Sequence, residues 1–131
     1  MTTWNLEQQP IHLGLGATAE VEPAFSGMDW YEGYAARHAK DGAEGRLVST
    51  YRFTEPWTSW EMHPSGAEVV LCLDGSMTLH QEHPDGRTTS VVLEAGRYAI
   101  NPPAVWHTAD VQGHATALFI TAGEGTQHRA R

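Results

Sequence analysis

From Gly45 onward, apolar and polar positions alternate in short runs separated by turn residues, a texture that predicts β-strands. Eight segments fit: Leu47 to Phe53, Thr58 to His63, Glu68 to Leu73, Met77 to Glu82, Thr88 to Leu93, Tyr98 to Asn101, Val105 to Val111 and Ala115 to Ala122. The punctuation is Pro56, Pro64-Ser65-Gly66, Asp74-Gly75, Pro84-Asp85-Gly86, Glu94-Ala95-Gly96, Pro102-Pro103 and Gln112-Gly113. Many short strands at even spacing predict an all-β sandwich or barrel. No sequence repeat of fixed period is present, which argues against a solenoid or propeller.

The first part of the chain has a different texture. Residues 1–25 show no sustained periodicity, and His12-Leu13-Gly14-Leu15-Gly16 reads as a short edge strand or as an arm laid over a partner. In Met28 to Lys40, Trp30, Tyr31, Tyr34, Ala35 and His38 recur at helical spacing. Ser26 or Asp29 could cap the start and Gly42 stands near the end, so one amphipathic helix is expected, its aromatic stripe serving packing. The predicted organisation is one domain: an N-terminal arm over 1–25, a helix and linker over 26–46, a barrel over 47–122 and a polar tail over 123–131. The tail is expected to be mobile unless it folds back over the barrel mouth.

Polar residues inside this pattern carry the chemistry. The stretch Trp60 to Gly75 sets Glu61 and His63 two apart, and side chains two apart on a strand project from the same face. Glu68 then opens the run Val69-Val70-Leu71-Cys72-Leu73, too apolar to leave either face in water. A carboxylate there needs a cation or a donor. Further on, His107 shares its face with Val105 and Ala109 and should point into the core. His63, Glu68 and His107 form a two-histidine, one-carboxylate set suited to a divalent first-row metal such as Fe, Mn or Zn. Glu61 either completes a four-ligand set or pairs with His63 or an arginine such as Arg52 or Arg97.

At these residues the sequence resembles the cupin superfamily. Its first motif places two histidines at i and i+2, then Glu, then Gly, and Glu61, His63, Glu68 and Gly75 stand at those positions. Its second has Gly, then Pro-x-Gly, then His, matched by Gly96, Pro102, Ala104 and His107. Four positions depart: Glu61 replaces the first histidine, Glu55 the opening Gly, Ala104 the Gly of Pro-x-Gly and Val111 the closing Asn. The resemblance implies a double-stranded β-helix, or jelly-roll barrel, preceded here by one helix. It implies a metal-dependent enzyme of the dioxygenase, isomerase or decarboxylase type acting on a small-molecule ligand. It also implies a homodimer, in which residues 1–25 could be a swapped arm. The alternatives are a non-catalytic binding or sensory module with a structural metal, and an inert metal-free barrel, because this fold hosts many activities.

Composition narrows the partners. The 131 residues suffice for one core, and 8 basic against 16 acidic side chains give a net charge of −8, unfavourable for nucleic acid or anionic lipid. Nothing resembles a signal sequence or a membrane span, which reads as a cytoplasmic protein. Cys72, the single cysteine, lies in an apolar run and reads as a buried structural thiol.

The aromatic residues divide by strand parity. Trp60 and Trp106 alternate with the proposed ligands, so they should face away from them and pack between layers or at a dimer interface, while Trp57 flanks the ligand stretch. Tyr51, Tyr98 and Phe119 are candidates for the pocket wall. His80, His83 and His114 sit near turns and read as solvated. His128 and Arg129 belong either to a loose terminus or to a lid that supplies a donor.

Overall fold

The computed structural model describes residues 1–131 and contains ten strands and one α-helix. The strands are β1 (Ile11–Gly14), β2 (Thr18–Val21), β3 (Arg46–Phe53), β4 (Ser59–Met62), β5 (Glu68–Glu82), β6 (Thr88–Glu94), β7 (Tyr98–Asn101), β8 (Trp106–Asp110), β9 (Ala115–Thr121) and β10 (Gln127–Ala130). The helix, α1, is Asp29–Arg37, followed by a 3-10 segment at Ala39–Glu44. All strand pairs are antiparallel, in two groups ordered β2-β1-β3-β9-β5-β7 and β10-β4-β8-β5-β6. The strand β5 belongs to both, so the sheet curls into a jelly-roll barrel.

The sharing of β5 differs from the sequence expectation of two strands separated by a turn at Asp74-Gly75. A bulge between Cys72 and Asp74, followed by Gly75 at φ +75°, bends the chain from one sheet into the other without reversing it. A Cβ at Gly75 would stand 2.1 Å from the His114 carbonyl oxygen, so only glycine lets the two backbones approach here. The N-terminal half of β5 pairs with β9 and β7, and the C-terminal half pairs with β8 and β6.

Alternation along β5 turns Glu68, Val70, Cys72, Met77 and Leu79 inward, all at most 2% exposed. Leu93, Ala109, Val111, Ala115 and Ala117 complete this core. Burying a side chain such as Leu79 stabilises the fold by about 1.5–3 kcal/mol. Cys72 is a packed thiol, its pKa raised by burial.

The N-terminal residues add to the barrel's own sheet: β1 and β2 form a hairpin, and β1 pairs with β3. A buried polar network ties this hairpin to the helix. His12 bonds the Tyr34 hydroxyl through Nδ1 and Asp41 through Nε2, both at 2.6 Å, and stacks on His38 at 3.6 Å. Buried Glu22 accepts from Arg37 and lies 2.9 Å from His38 Nε2. Every ring nitrogen of His12 is thus engaged, and the cluster reads as a structural lock. The helix is shorter than its periodicity suggests because His38 turns aside to meet Glu22 and His12. Neither Ser26 nor Asp29 caps it; Met28 occupies the cap and makes no side-chain bond. The expected aromatic packing does form, with Trp30 buried, stacked on Tyr34, and donating from Nε1 to the Pro23 carbonyl. No helix is long and apolar enough to cross a membrane.

The tail folds back. Residues 127–130 become β10, antiparallel to β4, with His128 opposite Glu61 and Arg129 opposite Trp60.

Candidate metal centre

Three stretches of chain deliver the candidate ligands to one point. Glu61 lies on β4, His63 follows one residue beyond its end, Glu68 opens β5, and His107 lies on β8 directly opposite Glu61. His63 Nε2 is 3.1 Å from Glu61 Oε1 and 3.1 Å from Glu68 Oε2. His107 Nε2 is 3.2 Å from Glu68 Oε1 and 3.7 Å from Glu61 Oε1. His107, Glu68 and His63 are at most 4% exposed, whereas the Glu61 side chain keeps 28% of its surface in solvent. The centre is therefore approached from the Glu61 side.

Despite these short separations, His63 Nε2 and both nitrogens of His107 make no aligned hydrogen bond. The donors converge on a shared point more than they point at one another, which is the geometry of a coordination sphere. Ligand bonds of about 2.1 Å place neighbouring donors about 3.0–3.4 Å apart in octahedral or tetrahedral arrangements, so this set of two nitrogens and two oxygens fits a first-row ion.

The electrostatics suit a cation. Burial alone would depress the His63 pKa, but the Glu61 and Glu68 carboxylates overcome it and push it up to about 9. His107 is raised for the same reasons. Burial opposes ionisation of Glu68, yet His107 and His63 hold it down to about 2, and Glu61 is likewise held well below the usual carboxylate range. Without a metal, protons on the imidazoles supply the positive charge that the two carboxylates require.

A ring of neighbours fixes the ligands. Asn101 Nδ2 donates to Glu68 Oε1 at 3.0 Å and the Thr121 hydroxyl donates to Oε2 at 2.6 Å. Gln81 Nε2 in turn donates to Asn101 Oδ1 at 2.8 Å. Sequence reasoning missed these residues, because only strand register sets Asn101 and Thr121 opposite Glu68. His63 Nδ1 lies 2.7 Å from the Thr126 hydroxyl, and His128 Nε2 lies 3.0 Å from Glu61 Oε2.

The pocket-wall candidates separate. Phe119 pairs with Val70 and Tyr51 with Ala117, which puts both on the inward face, Tyr51 at the exposed rim. Tyr51, Phe53, Phe119 and Trp57 contact one another in series, and Trp57 meets the His107 ring edge-on at 6.1 Å. Tyr98 pairs with Leu71 on the outer face and is 66% exposed, so it lines no interior; the register of β7 against β5, not readable from the sequence, decides this. From α1, Tyr31 packs edge-on against Phe25 and Trp30, and its pKa is raised by burial and then by the charges of Glu61, Tyr51 and Glu68. Helical periodicity assigns it to packing.

Trp60 and Trp106 face away from the ligands, as their alternation requires, but Arg129 occupies the space between them. Its guanidinium lies 5.2 Å from the Trp60 ring and 4.6 Å from the Trp106 ring, and it is paired with Glu82. His80 is less solvated than expected, bridging Ser90 and Asp110, while His83 and His114 bond Thr89 and Asp74 near the surface. Two shallow grooves, of about 280 and 270 Å³, lie away from the centre, one beside Trp4 and Ile11 and one beside Glu82, Trp106 and Arg129.

Comparison with known proteins places the fold. No family profile matches the sequence, and no curated protein does. Among solved structures, the hydroquinone 1,2-dioxygenase of Sphingomonas sp. TTNP3 with 4-hydroxybenzoate bound superposes with a TM-score of 0.51 at 20% identity, over 58% of this chain and 59% of that one. A mutant of Bacillus subtilis oxalate decarboxylase gives 0.55 at 14% identity, over 73% of this chain and 26% of that one. A cupin-2 domain containing protein from Shewanella frigidimarina gives 0.47 at 20% identity, over 58% and 69%. The chain thus spans about three-fifths of the dioxygenase and a quarter of the decarboxylase. The likenesses to the dioxygenase and the decarboxylase, together with the jelly-roll barrel, show the cupin fold.

Proposed function

We propose that this chain binds one divalent metal ion through Glu61, His63, Glu68 and His107 and is a metal-dependent enzyme acting on a small organic substrate. The observation that carries the reading is the convergence of four donors from distant parts of the chain on one buried point, with the facing imidazole nitrogens left without aligned partners. A metal-free interior would have to hold two carboxylates and two imidazoles by protonation alone. Fe, Mn and Zn all accept such a donor set. When bound, the ion would polarise a carbonyl or enol oxygen or activate dioxygen.

The chain's own residues define the approach. Glu61, the most exposed of the four, is the ligand able to move aside for a substrate or to serve as a base. Phe53, Trp57 and Phe119 supply an apolar flank suited to the carbon skeleton of a small molecule. Dioxygenase or isomerase chemistry fits this combination. The dioxygenase with the same fold carries 4-hydroxybenzoate, which makes small phenols the first substrates to try. The test loads chelated protein with Fe(II), Mn(II) or Zn(II) and follows substrate-dependent oxygen uptake or isomer interconversion. Turnover that disappears in His107→Ala is expected.

A second reading, a non-catalytic binding module with a structural metal, draws on one observation: His128 bonds Glu61 on the open side. Stoichiometric metal with no turnover in any loaded form would favour it.

The reading includes a homodimer. Across the outer face of the first sheet, Ile100, Val69 and Ile120 lie in one register row, which ends on buried Val48, and Tyr98, Leu71 and Leu118 lie in the next. Ile100 is 45% exposed. A contiguous apolar face of this kind favours association with a second copy.

A further inference from the structure

We propose that β10 and the turn that leads into it are part of the metal-binding apparatus, with Thr126 and His128 as positioning residues that aim His63 and Glu61 at the ion. This rests on the metal-binding reading above. The Thr126 hydroxyl donates to the Gly123 carbonyl at 2.8 Å, so its oxygen is left to accept from His63 Nδ1–H at 2.7 Å. That bond fixes the imidazole plane and keeps a proton on Nδ1, which leaves Nε2 as the atom turned toward Glu61 and Glu68. His128 Nε2 engages Oε2 of Glu61, and the other oxygen, Oε1, is the one 3.1 Å from His63 Nε2. Each contact occupies the atom that faces away from the centre and frees the one that faces it.

The strand is held firmly enough to do this. Arg129 sits between Trp60 and Trp106, and the Ser65 hydroxyl donates to the Glu124 carbonyl at 2.8 Å. Alternation along β10 then puts His128 on the ligand side and Arg129 on the outer side. A purely structural role would also explain a strand added to β4, but the backbone ladder alone has no use for a hydroxyl on His63. His107 makes the contrast: its Nδ1 is buried with no partner, so only one of the two imidazoles has such a support.

The experiment compares full-length wild type, Thr126→Val, Thr126→Ser and His128→Ala by chelator competition for Mn(II) and Co(II), with the visible spectrum of bound Co(II) as a second readout. Loss of a supporting hydrogen bond to a metal ligand typically weakens affinity by about tenfold or more. Thr126→Val is expected to lose affinity on that scale and to shift the Co(II) spectrum, while Thr126→Ser keeps both at wild-type values. His128→Ala is expected to weaken binding also. Wild-type affinity and spectrum in both Thr126→Val and His128→Ala would overturn the assignment, and so would equal losses in Thr126→Val and Thr126→Ser, which would reduce Thr126 to packing. Wild type that takes up no metal would instead remove the metal-binding reading itself.

Discussion

His107 Nε2 lies 3.2 Å from Glu68 Oε1 although β8 pairs only with the far half of the strand that Glu68 opens. The bend at Cys72 and Asp74 makes this contact, since a straight β5 would carry Glu68 away from the sheet that holds His107. The gathering of these four side chains therefore depends on a bulge and on Gly75.

The titration of the centre predicts opposite pH dependences with and without metal. His63 is raised from 6.5 to about 9, so its contribution to the metal-free protein is full below pH 6.5 and is lost as pH rises through about 9. Glu68 is lowered from 4.5 to about 2, so its contribution is full above pH 4.5 and is lost as pH falls through about 2. Chelated protein should melt highest between these limits and decline on the alkaline side. Metal affinity should rise over that same alkaline interval, because the ion replaces the proton on His63 Nε2, which is released on binding at neutral pH. Thermal melts across pH, and calorimetry in buffers of different ionisation enthalpy, measure both. A flat alkaline limb would contradict the assignment.

Ala104 stands where the cupin motif has glycine and adopts φ +63°, a left-handed conformation that a side chain disfavours. Ala104→Gly should stabilise the protein by about 0.5–1 kcal/mol, the relief of strain exceeding the entropy that glycine adds to the unfolded chain. Denaturant unfolding is the measurement, and a loss of stability would show that the strain is absent.

Arg129 pins the tail through two aromatic faces and Glu82. Removing it as Arg129→Ala should cost about 1–2 kcal/mol and free β10 to fray. Amide exchange should then rise at residues 127–130 and in β4 while β5 stays protected. Unchanged exchange in β10 would mean that the backbone ladder suffices.

The dimer surface is open to a direct trial. Ile100→Lys places a charge on the apolar row and should shift light-scattering mass from dimer to monomer without loss of the barrel's circular dichroism. A monomeric wild type would contradict the proposed assembly.

Strand alternation and turn residues make the barrel legible: all eight expected segments coincide with strands β3 to β9, two of them joined in β5. The joined β5 was not legible, because Asp74-Gly75 spells a turn and only the close approach to His114 makes it a bulge. Strand parity and the apolar runs around them single out His63, Glu68 and His107 and leave Glu61 as a fourth ligand or an ion-pair partner, and the fold brings all four together. Asn101, Thr121 and Thr126 could not be singled out, since ordinary polar residues acquire their role from register and chain return. The same limit explains Tyr98: an aromatic on a short strand gives no sign of which face is inside. For the tail, Arg129 and the two tryptophans held the information, but nothing in the linear order says that they meet.

On the proposed function, four side chains gather around one ion. Elemental analysis of wild type and of the His63→Ala, His107→Ala double variant, each purified without added metal, tests it most directly. About one divalent first-row ion per chain is expected in wild type and essentially none in the variant. A wild type free of metal that also fails to bind Mn(II), Fe(II) or Zn(II) on addition, or a double variant that retains the ion, would contradict the account.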